Sequence, residues 1–432
     1  MALILILYFI ISSTFRYVPL LPYALELGIT FSFILLLTFK RYRFPKDVRW
    51  LILYAFAVMG YLLLAPAIVA NYVHGQPLIL GFVANRGVFL ILVVLCFAFI
   101  LFSKRVTFKS LEVTLVGLAW LNMILGGCTL LLLDPNEFSP EVFGNFISNG
   151  GGKFNQFNLP KGFTLLGAFY YFFQGFYLRK KKEKYFCLLM FSYVILGGNH
   201  RALLVALVLS LIIVIFWCRA LSQASRIKLI FQIFGWVSLI FIAIMMFSPE
   251  TILVRSASFS DALAVIGGAT QVGDWSAGAR IQQFSIGLSG IPDHPFFGHG
   301  HLSNSFNDGY GGLYGYFHPS DIGLVGVVFI FGGIGTLFLL CQYIFYFRFC
   351  GLALKTLRPK EDNSLLFAVV SMLVIHSINS FTSGMFAFYP ERGLLWLFLI
   401  AVCFRNQSTY LPPSMVSRNG YKIVHATEGN DH

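Results

Sequence analysis

A few arginines and one histidine are the residues of this chain whose types and positions could do chemistry. Arg201 opens the apolar run RALLVALVLSLIIVIF, Arg280 lies in GARIQQF, and Arg86 precedes the run GVFLILVVL. A guanidinium group stays charged and can bind phosphate oxygens through two parallel hydrogen bonds. Together on one face, the three arginines would form an anion site. Taken singly, each could instead be an anchor at the membrane surface or a solvated loop residue.

A histidine and an aspartate lie just before a long apolar run. His318, in YGYFHPSDIG, could accept a proton from a hydroxyl group, because the pKa of an imidazole lies close to neutral pH. The alternative is a histidine that only makes a hydrogen bond at a helix N-terminus. Asp321 could orient His318 or cap the helix that begins there, and aspartate's preference for N-cap positions favours capping.

Three further histidines form an HxxxxHxH pattern that resembles a set of zinc ligands. His294, His299 and His301 lie in a turn rich in glycine and proline, with no helical face to fix them and no cysteine nearby. We therefore expect no metal site here, and no other pattern in the sequence indicates a cofactor.

The elements that must position these residues are membrane helices. Of the 432 residues, 57% are hydrophobic and only 11% are charged, whereas soluble domains have roughly 25% charged residues. The formal charge of +13 could suggest a nucleic-acid partner. However, the basic residues lie between the apolar runs and not on one folded face, so we expect membrane lipids as partners and no nucleic acid.

The apolar runs predict an all-α, polytopic protein of about twelve transmembrane helices, at about 20 residues for a full crossing. These runs lie near residues 2–15, 22–39, 50–70, 82–102, 112–133, 163–178, 185–198, 202–218, 229–247, 321–347, 364–383 and 393–404. The first run lacks the basic flank and cleavage pattern of a signal peptide, so we expect it to be retained as a helix.

Positive charge orients the predicted helices. The basic clusters 179–184 and 219–228 should both be cytoplasmic, which requires two crossings between them and a turn at 197–199. By the same argument the run 364–404 divides at 384–392. This threading predicts that both termini are cytoplasmic and that the candidate arginines and His318 share the opposite, outer face.

The predicted helices and loops divide the chain into four parts. Helices 1 to 9 occupy residues 1–247, a large outer loop occupies 248–320, helices 10 to 12 occupy 321–404, and a cytoplasmic tail follows over 405–432. The loop contains many aromatic residues, Trp275 among them. It is therefore expected to fold as short helices over the outer face of the membrane, unlike a disordered linker.

Taken together, these segments resemble the family of O-antigen polymerases and ligases, which assemble bacterial surface polysaccharides. The matching motifs are NHRALL at Arg201, ARIQQF at Arg280 leading into the turn from His294 to Gly300, and His318 followed by a helix with Gly332 and Gly335. Two motifs depart from the family pattern. Ala202 replaces the glycine of the usual Ser-Arg-Gly, where His200 also replaces the serine, and Phe331 stands where an acidic residue is common.

The resemblance implies a metal-independent glycosyltransferase of the bacterial inner membrane with a periplasmic active face. Such an enzyme moves a glycan from an undecaprenyl-diphosphate carrier onto a hydroxyl group of an acceptor sugar. By resemblance, Arg201 and Arg280 would hold the diphosphate and His318 would be the general base. We add Arg86, Asp321 and Trp275 as candidates for substrate binding.

Several functions remain open from the sequence. A polymerase would extend a lipid-linked glycan, with a chain-length regulator as a further partner, whereas a ligase would transfer the finished chain to lipid A core. The large loop is rich in aromatic residues and only weakly basic, which favours sugar stacking and the polymerase. A transporter or flippase would show pseudo-symmetric halves. A metal-dependent glycosyltransferase would need a carboxylate in the first outer loop, and residues 16–21 contain none.

Overall fold

The computed structural model describes residues 28–30, 32, 46–102, 107–134, 161–196, 201–217, 223–224, 226–232, 235, 238, 275–356 and 363–408. Within these ranges the protein is all-helical and has no strand, which confirms the predicted all-α class. Several predicted features lie outside the described residues. They are the helices at 2–15 and most of 22–39, most of 229–247, the loops 135–160 and 239–274, the turn 197–200 and the tail after 408.

The described helices follow one another along the chain with short breaks. They are α1 (Lys46–His74), α2 (Leu78–Ala84), α3 (Leu90–Phe102), α4 (Phe108–Leu132), α5 (Gly162–Phe172), α6 (Lys181–Leu196), α7 (Arg201–Trp217), α8 (Trp275–Gly290), α9 (Gly309–Tyr314), α10 (Gly323–Leu340), α11 (Gln342–Thr356), α12 (Ser364–Ser383), α13 (Met385–Phe388) and α14 (Pro390–Ser408). Short 3-10 turns occupy Arg86–Phe89, Ile291–Asp293 and Pro319–Asp321, and α5 continues into a π-helical turn at Phe173–Tyr177.

Four of the described helical segments are long and apolar enough to cross a membrane. They are Val48–His74, Phe108–Thr129, Gly323–Ala353 and Ser364–Phe381. A fifth crossing arises if Leu78–Ala84 and Arg86–Phe102, which are bent by 51° relative to each other, act as one span. Since helices of this length and composition satisfy their own backbone hydrogen bonds in lipid, the chain is a membrane-embedded helical protein.

The surface of α1 shows which side would face lipid. One face of the helix packs into the protein through Leu51, Ala55, Val58 and Leu62. The opposite face exposes large apolar side chains, namely Trp50, Leu53, Phe56, Leu64 and Ile68. An apolar stripe of this length on a soluble protein would promote aggregation, whereas hydrocarbon accommodates it.

Helix α12 lies at the centre of the bundle, in contact with α5, α7, α10, α11 and α14. It ends at Gly384, whose φ of +61° is a left-handed conformation that glycine adopts readily. After the short helix α13, α14 begins at Pro390, a residue suited to the first turn of a helix. The break predicted at 384–392 is therefore confirmed.

Of two other predicted elements, one differs in extent and the other is confirmed in its described part. The apolar run 321–347 is described as α10 followed by α11, which continues to Thr356. Arg348 therefore lies inside α11. In the large loop, the described part from residue 275 onward folds as the short helices α8 and α9 and two 3-10 turns, as the aromatic content predicted.

Candidate functional site

The candidate site is built around a loop, residues 294–303, that passes through a break in α10; we call it the threaded loop. The break lies at Gly332, where φ is +65° and the helical hydrogen bonds stop. The backbone N–H groups of His299 and Gly300 donate to the carbonyls of Phe329 and Ile330, at 2.8 and 3.0 Å. In return, the N–H groups of Gly333 and Ile334 donate to Pro295 and Phe296, at 2.7 and 3.1 Å. The loop thus satisfies the backbone groups that the break would leave unpaired.

On its other side, the threaded loop is hydrogen-bonded to α1 and to Gln76, which lies just after α1. His301 N–H donates to the carbonyl of Pro66 at 3.1 Å. The fully buried side chain of Gln76 donates from Nε2 to the His301 carbonyl at 3.1 Å. Its Oε1 accepts from Ser303 N–H at 2.7 Å. One glutamine amide therefore pairs with the loop backbone much as a neighbouring strand would.

Glycines allow this close approach. At Gly300, with φ +78°, an added Cβ would lie 2.3 Å from the backbone nitrogen of Ala70 and 2.5 Å from the carbonyl oxygen of Pro66. At Gly298, with φ +72°, it would lie 2.4 Å from the carbonyl oxygen of Ile330. The Gly-x-Gly of this turn is required because backbone packs directly against backbone on both sides.

The threaded loop closes one side of a cavity of about 550 Å³. Its walls also come from the start of the Arg86–Phe89 turn, from residues 304–320, from α10 beside its break, and from the segment between α12 and α14. The polar lining residues are Asn85, His301, Asn304, Asp308, Tyr310, His318, Ser320, Tyr389 and Glu391. Aromatic rings and polar groups converge here, as is usual for a small-molecule site.

His318 lies in the wall of this cavity with an exposed side chain. Its backbone N–H donates to Oε1 of Gln283 at 3.0 Å, and Gln283 belongs to α8 and is only 1% exposed. Arg280 is exposed on the same helix, one turn before Gln283, or about 4.5 Å along the helix axis. The structure therefore brings the helix that carries Arg280 and the loop that carries His318 together through one buried amide.

Of the other predicted site residues, the structure describes the side chain of Arg86 but not those of Arg201 and Trp275. Arg86 is exposed between Asn85 and Gly87, which both line the cavity. Arg201 begins α7 and Trp275 begins α8, but their side chains lie outside the described part of the structure.

Asp321 is exposed at the end of the turn that follows His318, and it does not cap α10. The cap position of α10 is Ile322, which has no polar side chain. The capping interpretation of Asp321 is therefore wrong, because the 3-10 turn delays the start of the helix by two residues.

The histidine pattern at 294–301 serves the packing of the threaded loop. His299 stacks on Phe329 with ring centres 4.2 Å apart and donates from Nε2 to the carbonyl of Gly290 at 2.9 Å. Burial lowers the pKa of His299. Nδ1 of His301 is hydrogen-bonded to Oδ1 of Asn85. In the part of the chain that the structure describes, no three His, Cys, Asp or Glu side chains are arranged to hold a metal ion.

Sequence reasoning missed three residues of the site. Gln283 lies three positions after Arg280, which is the spacing of one helical face and is the signal that could have found it. Asn85 stands next to Arg86 in a short break between helices. Glu391 is 4% exposed in the first turn of α14, where a carboxylate suits the helix dipole. Neither of these last two residues belongs to a recognisable motif.

If the chain has the transferase activity that the motif resemblance implies, Gln283→Leu should lower it about tenfold or more, because leaving the N–H of His318 without its partner costs about 1–3 kcal/mol. Gln283→Glu retains an acceptor oxygen and should keep most of the activity. The measurement is polymer yield from cells carrying each variant, normalised to the amount of protein in the membrane. Equal yields from the Leu and Glu variants would show that Gln283 does not position His318.

A second expectation concerns pH. Burial lowers the pKa of His301 to about 4, from an ordinary value of 6.5. The folded state thus favours neutral His301, and the stability that this contributes is complete above pH 6.5 and is lost as the pH falls towards about 4. Thermal unfolding in detergent should show a melting temperature that falls over this range, and less steeply for His301→Gln. Parallel pH profiles for the two proteins would contradict the assignment.

In comparisons with known proteins, no protein-family model, curated protein or solved structure matches the chain.

Proposed function

We propose that this chain is a metal-independent glycosyltransferase that moves a glycan from an undecaprenyl-diphosphate carrier onto a sugar hydroxyl, as an O-antigen or exopolysaccharide polymerase. The observation that carries the proposal is the position of His318 in the wall of a 550 Å³ cavity, joined through Gln283 to the helix of Arg280. Such a transfer needs a base and a guanidinium group. His318 would be the base, and Arg280, one helical turn before Gln283, would supply the guanidinium group. The motif resemblance at Arg201, Arg280 and His318 supports the same reaction.

In this reaction His318 takes the proton of the acceptor hydroxyl while the hydroxyl oxygen forms a bond to the anomeric carbon of the donor. The bond between that carbon and the diphosphate oxygen breaks, and undecaprenyl diphosphate leaves with the electron pair. Arg280 and Arg201 stabilise the charge that develops on this leaving group. The proton then passes from the imidazolium to water.

The proposal includes the topology of the whole chain. About twelve spans with cytoplasmic termini would place residues 248–320, and so the cavity, on the periplasmic side of the bacterial inner membrane. The donor is then the lipid-linked glycan after it has been transferred across the membrane.

The chemistry of the cavity favours a polymerase over a ligase. Asp308 and Glu391 contribute carboxyl groups to its wall, and none of the lining residues that the structure describes is Arg or Lys. A phosphorylated lipid A core would require basic groups at the acceptor site. A second growing glycan has no such requirement.

A flippase for lipid-linked sugars is the second candidate, because the break in α10 at Gly332 is of a kind that transporters use to build substrate sites. In this protein, however, the backbone groups freed by the break are paired with the threaded loop. These groups are therefore not available to a transported substrate.

A surface-polysaccharide gel of a deletion strain tests the proposal. Core carrying a single repeat unit would support the polymerase. Bare core, with long chains still on the carrier, would identify a ligase. An unchanged ladder would overturn O-antigen assembly as the role. Loss of all lipid-linked glycan from the periplasmic leaflet would favour the flippase.

A further inference from the structure

Two polar side chains at the cavity wall have hydrogen-bonding groups that the protein does not use. Asn85 is 7% exposed, and its Nδ2 has no hydrogen-bond partner although it is buried. Its Oδ1 is bonded to Nδ1 of His301, and both residues line the cavity. An amide N–H group that is buried without a partner costs about 1–3 kcal/mol, so a ligand that accepts from it would recover this energy.

The pair presents one donor and one acceptor. Because burial keeps His301 neutral near pH 7, a ring in which Nδ1–H donates to Asn85 has Nε2 as an acceptor. If the amide oxygen and nitrogen of Asn85 were exchanged, Nδ2 would donate to Nδ1 of His301. The free groups would then be the amide oxygen and Nε2–H. Either arrangement offers one donor and one acceptor, which complements a hydroxyl or an acetamido group.

The remaining wall restricts the charge of the ligand. Asp308 would repel a carboxylate or a phosphate, whereas the carboxylate of Glu391 is already paired with Arg392 at 4.0 Å. Arg86 and Arg392 adjoin the lining residues without lining the cavity themselves. The half-buried aromatic side chains of Phe388 and Tyr389 line the cavity and supply surface of the kind on which sugar rings lie.

We propose that Asn85 and His301 form a specificity-determining subsite that reads an uncharged hydroxyl or acetamido group of the acceptor sugar, so that the cavity holds the acceptor and the diphosphate of the donor stays outside it. This inference rests on the proposed function and assigns the two substrates to different places. It predicts that acceptor binding and carrier binding can be separated by substitutions at the pair.

The test uses full-length protein in nanodiscs and two probes. The first is the repeat-unit oligosaccharide, released by mild acid from the lipids that accumulate in the deletion strain. The second is undecaprenyl diphosphate without sugar. We expect Asn85→Leu to weaken binding of the oligosaccharide at least about tenfold, equivalent to about 1.4 kcal/mol, and to leave binding of undecaprenyl diphosphate unchanged.

Asn122→Leu is the matched control, since Asn122 is buried to 6% exposure in α4 and does not line the cavity. It should bind both probes like the wild type. His301→Phe is a second variant at the subsite, and it should reproduce the selective loss of oligosaccharide binding if Asn85→Leu fails to fold.

The outcomes separate the two proposals. Wild-type protein that binds the oligosaccharide, with Asn85→Leu and His301→Phe binding it equally well, would overturn the subsite and leave the glycosyltransferase in place. Loss of both probes to the same degree in a folded variant would also overturn it, because the two substrates would then share one site. Wild-type protein that binds neither probe would overturn the proposed function itself.

Discussion

Under the proposed mechanism, His318→Ala should reduce polymer formation about 100-fold or more, because a general base contributes about 10² to 10⁴ in rate. The side chain is exposed at the cavity, so its removal should leave the fold intact. The measurement is the polysaccharide ladder of a deletion strain that carries the variant, together with the amount of tagged protein in the membrane.

His294→Ala is the control for this prediction. His294 lies in the threaded loop and is half-buried, but it does not line the cavity. Its variant should keep a ladder close to that of the wild type. His299→Ala is less suitable, because His299 is buried against Phe329 and its loss would also disturb packing. A full ladder from His318→Ala would remove this residue as the base.

Gly300→Ala should prevent the protein from accumulating. The new Cβ would lie 2.3 Å from the backbone nitrogen of Ala70, and backbone atoms on the facing helix cannot move aside cheaply. The φ of +78° adds the strain of a left-handed residue, about 1–2 kcal/mol. We expect loss of the monodisperse peak when the tagged protein is extracted and run on size-exclusion chromatography.

Two other glycines separate the clash from the backbone strain. A Cβ at Gly315 would meet nothing within 4 Å although φ is +73°, so Gly315→Ala should lower stability only moderately. At Gly311 there is open space and no left-handed backbone, and Gly311→Ala should behave like the wild type. If Gly300→Ala were as well folded as Gly311→Ala, the close packing of the threaded loop on α1 would be refuted.

Local patterns were enough to predict the helical class and the break after α12. Uniform apolar runs predict helices, and Gly384 with Pro390 is a strong local signal for a break between two of them. The apolar run that predicts this part of the chain ends at residue 347, which is earlier than the end of α11. A helix that is already formed can continue beyond its apolar part, as α11 does to Thr356.

The cavity itself could not be predicted in the same way. His318 was identified from its residue type and its position before an apolar run. Asn85 and Gln76 become meaningful only when the threaded loop folds back on residues more than 200 positions earlier in the chain. A single sequence carries no signal for such a contact, because neither residue belongs to a periodic pattern or a spaced motif.

The hydrogen bond from Gln76 to the carbonyl of His301 spans 225 residues of sequence, and this has a consequence for biosynthesis. Ribosomes add about 5–20 residues each second, so α1 would wait roughly 11–45 s after its own synthesis for this partner to emerge. During that interval the amide of Gln76 has to be hydrated or shielded by another protein. We therefore expect newly made chains truncated before residue 301 to depend on the membrane insertion machinery and to be degraded quickly when released from it.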